Sequence, residues 1–226
     1  MREELRRELD GLGAHLARMC DEAGSSMERA VRAVLRADLP LAEAVIGGQA
    51  RLDRLRDDGA ERAHRLLTLQ APVARDLRRV VTALQAGERI GRMGGLASHV
   101  AGLARRRHPD PVLPAELAAP FAEMGALAVG LARRVGDGCA APLQEQWAER
   151  ERDDDRVDAL HRDLLTAVRR PGAGYGVRTG VDVALLTRFV ERFADQAVSV
   201  ARRLDDVAAR RAPAVRCTVD GSSGRS

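Results

Sequence analysis

The chain has 226 residues, with 37 basic residues against 33 acidic ones and a formal net charge of +4; all of the basic residues are Arg, and Lys and Asn are absent. Hydrophobic residues make up 45% and charged residues 31%, the balance of a folded chain and not a disordered one. Aromatics are only 2%, so the core falls to Leu, Val and Ala, which pack between helices, and a large β-sandwich or barrel is excluded.

Apolar residues at Leu5, Leu9, Leu12, Leu16, Met19, Ala23, Met27, Ala30 and Val34 step by threes and fours, the seam of a long helix lying against other helices. Pro40 ends that helix and opens the next, as proline does in a first turn, and Leu41, Val45, Leu52, Leu55, Leu66 and Leu67 carry the pattern to Pro72. A third run extends from Val73 through Leu77, Val81, Leu84, Met93, Leu96, Val100 and Leu103 to Arg105-Arg106-Arg107, cations that suit a helix C-terminus. His108-Pro109-Asp110-Pro111-Val112-Leu113-Pro114 is the strongest breaker in the chain. Beyond it three more helices are predicted, from Ala115 to Gly136, Pro142 to Arg169 and Val177 to Arg211, with a Gly-rich connector from Pro171 to Gly176. Arg92 to Ala101 lines up with Arg192 to Ala201 at an offset of 100, and Leu66-Leu67-Thr68 with Leu164-Leu165-Thr166 at an offset of 98. The expectation is an all-α chain of two duplicated three-helix bundles, residues 1–109 and 112–211, followed by a disordered tail over 212–226.

No uninterrupted run of about 18 apolar residues is present to span a bilayer, and the charged start Met1-Arg2-Glu3-Glu4 has no signal-peptide core behind it. Cys20, Cys139 and Cys217 are odd in number and far apart, which predicts a reducing, cytoplasmic setting and no disulfide framework. Without stacking aromatics, the basic balance does not predict a nucleic-acid partner.

Two acidic patterns bear on chemistry. Glu191 and Asp195 lie four apart on the last helix, and Glu151, Asp155 and Asp158 fall at i, i+4 and i+7 on the helix before it. If those faces meet, they offer oxygen ligands to a hard or borderline cation. The interleaved Arg152, Arg156, Arg188 and Arg192 suit a solvated charged face equally well. Glu61-x-x-His64 and Asp158-x-x-His161 have the carboxylate-x-x-His spacing of di-iron bundles, but the Leu-Leu-Thr alignment sets His161 opposite Ala63, so they are not symmetry mates. Glycines 87, 91, 94 and 95 weaken the third helix, and the expected reason is close helix approach.

Three segments resemble the PhoU family: Gln70-Ala71-Pro72-Val73-Ala74-Arg75-Asp76-Leu77-Arg78-Arg79, Asp154-Asp155-x-x-Asp158-x-Leu160-His161-Arg162, and Glu191-Arg192-Phe193-Ala194-Asp195-Gln196-Ala197-Val198-Ser199-Val200-Ala201. The resemblance spans residues 1 to 211 and implies tandem three-helix bundles. It also implies a cytoplasmic, non-enzymatic negative regulator of the phosphate-starvation response. Such a protein works with the ATPase of a phosphate ABC transporter and with a membrane phosphate-sensing histidine kinase, often as a homodimer, without entering the membrane. Some members carry metal on a Glu-x-x-x-Asp motif in each half. Here Gly91 and Gly95 replace the Glu and Asp of the first half. The resemblance therefore implies at most one divalent or iron-type metal site, in the second half, at Glu191 and Asp195 with Asp155 and Asp158 as neighbours. The alternative is a metal-binding carboxylate bundle, a di-metal oxidase or metal store, using Glu61, His64, Asp158 and His161.

Overall fold

The computed structural model describes residues 2–140, 147–170, 172 and 174–209. Among these, the chain forms six helices and no strand: α1 (Arg2–Arg36), α2 (Leu39–Gln70), α3 (Ala74–Arg107), α4 (Ala115–Ala140), α5 (Trp147–Arg169) and α6 (Val177–Ala209). Each predicted helix is present. The predicted start of α5 at Pro142, part of the Gly-rich connector, the end of α6 and the tail lie outside the described residues.

Local chemistry sets the helix ends. Asp38 is the N-cap of α2, its Oδ1 accepting from the Leu41 N–H at 2.9 Å, with Pro40 in the first turn where its missing N–H costs nothing. The predicted seam of α1 is buried from Leu9 to Val34, and at 35 residues the helix is roughly 52 Å long.

Helices α1, α3, α6 and α4 pack in that cyclic order, with α2 laid over α1 and α3, and α5 over α4 and α6. The buried side chains of both three-helix groups form one continuous cluster. The duplication is visible in exposure: the order of exposed, half-buried and buried positions over 81–90 recurs position for position over 181–190. Helices α3 and α6 run antiparallel, since Arg89 reaches Gln196, Arg203 reaches Gln85, and Arg107 lies 3.6 Å from Asp182.

Helix α4 is long and apolar enough by composition to cross a membrane, with a mean hydropathy of 1.3 over its best window between Ala115 and Cys139. It places Leu117, Phe121, Met124, Ala128, Leu131 and Val135 in the shared core. Its contact with α1 is made by small residues. A side chain at Gly13 would stand 2.7 Å from the Cys139 carbonyl oxygen, and Gly136 lies against Cys20 and Gly24 against Ala132. The buried Cys20 thiol meets Cys139 across this seam, and that hydrogen bond together with burial pushes its pKa well up.

His15 is buried between α1 and α2. Its Nε2–H donates to the Leu55 carbonyl at 2.6 Å while Nδ1 accepts from Arg18 at 2.9 Å, which fixes the ring between the two helices. Gly59 leaves room for the ring.

Glycine substitutions separate close approach from simple helix propensity. Gly13→Ala forces the α4 backbone away and should destabilise the chain by about 1–3 kcal/mol. Gly95, which has no atom within 4 Å of its missing Cβ, should give a gain of about 0.5–1 kcal/mol as Gly95→Ala. Urea unfolding of the two variants, with shifts of opposite sign, checks the seam.

Candidate functional site

Burial of Val157, Leu160 and Leu164 fixes the rotation of α5. With that stripe in the core, the residues at i, i+4 and i+7 that flank it toward α6 are Asp154, Asp158 and His161. Asp155 falls on the far side and is exposed, as is Glu151. On α6, Glu191 is mostly covered, at 12% side-chain exposure, and Asp195 lies one turn beyond it at the open edge. The structure thus brings together Glu191, Asp195 and Asp158 of the predicted set. It adds Asp154 and His161 and leaves Asp155 at the periphery.

Carboxylates crowd here, and Arg188, Arg192 and Arg202 offset part of their charge. Arg188 Nη1 donates to Glu191 Oε1 at 2.5 Å, but Glu191 Oε2 and His161 Nδ1 are buried without a partner. Desolvation, followed by the neighbouring Asp158 and Asp195 carboxylates, raises the Asp154 pKa to about 6. Desolvation and then Asp195 raise Glu191, and desolvation and then Asp158 raise Asp195. His161 is lowered by desolvation and then by Arg188. Two orphaned donor atoms among crowded carboxylates fit a cation in charge and in ligand type. Among the described residues, however, no three His, Cys, Asp or Glu side chains already converge as a metal cage. A cation would be held by Glu191, Asp158 and Asp195 with Asp154 or His161, after rotation of the two exposed Asp side chains.

The same place in the first half is filled differently. Gln49 meets Gly94 and Ser98, and Arg56 lies across Gly91, its Cδ 3.2 Å from where a Cβ would stand. The Arg56 guanidinium reaches Asp53 at 3.4 Å, Asp57 at 2.9 Å and Glu88 at 3.9 Å. By the α3 and α6 neighbours each one meets, the counterparts are Gln49 and Asp154, Asp53 and Asp158, and Arg56 and His161. That offset of 105 corrects the 98 suggested by Leu-Leu-Thr. The side chain of Arg56 lies over the position that corresponds to Glu191 in the second half and places a positive charge there.

The di-metal alternative does not assemble. Glu61 and His64 are exposed on α2, with Glu61 3.9 Å from Arg65, whereas Asp158 and His161 are on α5. The two helices cover opposite edges of the four-helix layer. The predicted close approach at the α3 glycines holds at Gly94, where Leu52 and Gln49 crowd the missing Cβ, and fails at Gly95.

A PhoU domain profile matches residues 16–104 and 121–204. The chain belongs to the PhoU family. It is 47% identical over 204 residues to the phosphate-specific transport system accessory protein PhoU homolog 2 of Mycobacterium tuberculosis, covering 90% of this chain and 96% of that protein. It is 46% identical over 204 residues to PhoU homolog 1 of Mycobacterium leprae, covering 90% of this chain and 92% of that one. Its fold matches the crystal structure of PhoU from Pseudomonas aeruginosa with a TM-score of 0.79 at 21% identity, over 91% of this chain and 99% of that one. The corresponding protein from Streptococcus pneumoniae gives 0.71 at 20% identity, over 91% and 94%. The six-helix PhoU architecture expected from the sequence is thereby established.

The raised Asp154 pKa sets a sign for pH dependence. Its folded pKa exceeds the unfolded value, so the folded state holds the extra proton between about pH 4 and 6, and stability falls as pH rises through that range. In chelator-treated protein, Asp154→Asn should raise stability at pH 7.5 by about 1 kcal/mol, a figure discounted for solvent screening. The difference should vanish near pH 4. Urea unfolding at the two pH values measures it.

Proposed function

We propose that this chain is a non-enzymatic, cytoplasmic accessory protein of phosphate transport that docks, as a homodimer, on the ATPase of a phosphate ABC transporter and on a phosphate-sensing histidine kinase. In phosphate-rich cells it holds the starvation response off. The observation that carries this reading is near-full-length similarity, at 47% identity, to proteins named phosphate-specific transport system accessory proteins. A regulator of this kind acts by binding one conformational state of a partner better than another, with an effect no larger than that difference in affinity. Long helices with charged outer faces suit such a role. Apolar side chains also stand exposed at the starts of α3 and α6, at Leu77 and Val81 and at the equivalent Val177 and Val181.

A single divalent or iron-type cation at Glu191, Asp195, Asp158 and Asp154 belongs to this reading. When bound, it would neutralise the crowded carboxylates and tie α5 to α6. The first half needs no such ion, because Arg56 already stands among Asp53, Asp57 and Glu88.

Deleting the gene should raise alkaline phosphatase output severalfold in phosphate-rich medium. Unchanged output would reject the regulatory reading. For the cation, elemental analysis of protein purified without chelator should find about one metal per chain, lost in Glu191→Gln. An absence of metal together with no thermal shift on adding divalent ions would restrict the cluster to a charge-repulsive surface.

A further inference from the structure

Where α3 crosses α6, guanidinium groups gather, and among the described residues Arg89, Arg92 and Arg203 make no ion pair. Gln85, Arg89 and Arg92 follow one another at helical spacing along the side of α3 that meets α6, and Gln196 and Arg203 lie seven apart on α6. Arg89 Nη1 donates to Gln196 Oε1 at 3.2 Å and Arg203 Nη1 to Gln85 Oε1 at 2.6 Å. Those partners are neutral. The acids closest in sequence are turned elsewhere: Glu88 lies 3.9 Å from Arg56, and Asp205 lies 3.1 Å from Arg150. Arg203 Nε is buried with nothing to receive its proton, and Arg92 is exposed at the mouth.

Desolvation, and then the charges of Arg203 and Arg92, lower the Arg89 pKa, so Arg89 is flanked by a cation on either side. Elsewhere in the fold, the half-buried Arg56, Arg107 and Arg134 each face a carboxylate. A cation cluster held together only by carboxamides lacks its anion.

We propose that the α3–α6 crossing is a binding site for a multiply charged tetrahedral oxyanion of the phosphate class, held by Arg89, Arg92 and Arg203. Guanidinium forks match the paired oxygens of phosphate, and a dianion offsets a row of cations centred on Arg89 better than a single carboxylate does. Arg92 admits the ligand from solvent, and the Gln85 and Gln196 amide groups hold the Arg89 and Arg203 side chains in place. Although Gln196 follows Asp195 in the chain, it faces α3, and the site does not depend on the docking role.

The full chain should be titrated with inorganic phosphate and, separately, with tripolyphosphate, at ionic strength held constant with sodium chloride. Calorimetry and thermal shift supply the readouts. Binding of inorganic phosphate would assign the site to the free anion. Binding of tripolyphosphate alone would assign it to phosphate carried on a larger molecule, and either supports the site. Arg89→Gln with Arg203→Gln should weaken binding about tenfold or more. The exposed, partner-free Arg92→Gln should weaken it in the same direction without touching the helix contact. Arg75→Gln with Arg78→Gln, at the exposed start of α3, should bind as the parent does. No response to either anion at about 20 mM, or equal weakening in the Arg75 and Arg78 variant, would overturn the proposal.

Discussion

The close approach of helices at small residues is the constraint on which the rest of this structure depends. With so few aromatics, the core cannot be filled by large side chains, so the helices must come together until Leu, Val and Ala fill the space. Gly13 and Gly136 let α1 and α4 meet backbone to side chain, and Gly94 lets Leu52 and Gln49 reach down onto α3. These approaches merge the two three-helix groups into one apolar core. Together with burial of Val157, Leu160 and Leu164 on α5, they set which charged residues face one another.

Given that rotation, the duplicated frame carries two opposite electrostatic solutions at equivalent places. In the first half Arg56 leans over Gly91 and is ringed by Asp53, Asp57 and Glu88. In the second half, Glu191 stands where Gly91 does, and carboxylates crowd with buried oxygen and nitrogen atoms unsatisfied. A folded chain tolerates such crowding by taking up protons, as the raised Asp154, Glu191 and Asp195 pKa values indicate, or by taking up a cation. The first half thus carries its counter-charge as a guanidinium, whereas the second keeps buried carboxylate and imidazole atoms without partners.

Much of this was legible in the sequence. The seam from Leu9 to Val34, the stops at Pro40 and Pro72 and the breaker from His108 to Pro114 follow from period and backbone chemistry, which are local. What failed required register between helices. The Leu-Leu-Thr match was misleading because Thr68 and Thr166 each bond the carbonyl four residues back, a local device any helix can use. A spacing of four and seven is satisfied by Asp155 or by Asp154, and only burial of Val157, Leu160 and Leu164 separates them. The meeting of Cys20 with Cys139, and of Arg89 with Arg203, depends on antiparallel contacts between distant segments that no single-helix pattern encodes. Arg56 could have been suspected, since a glycine where a ligand belongs leaves space that a nearby long side chain can fill.

The role proposed for this chain is docking. Its most direct test is purification of a tagged chain from its native cell in high and low phosphate, with bound proteins identified by mass spectrometry. Docking predicts recovery of the phosphate transporter ATPase, the sensor kinase or both, more strongly in high phosphate. Recovery of neither in either condition would contradict it while leaving the fold and the family untouched.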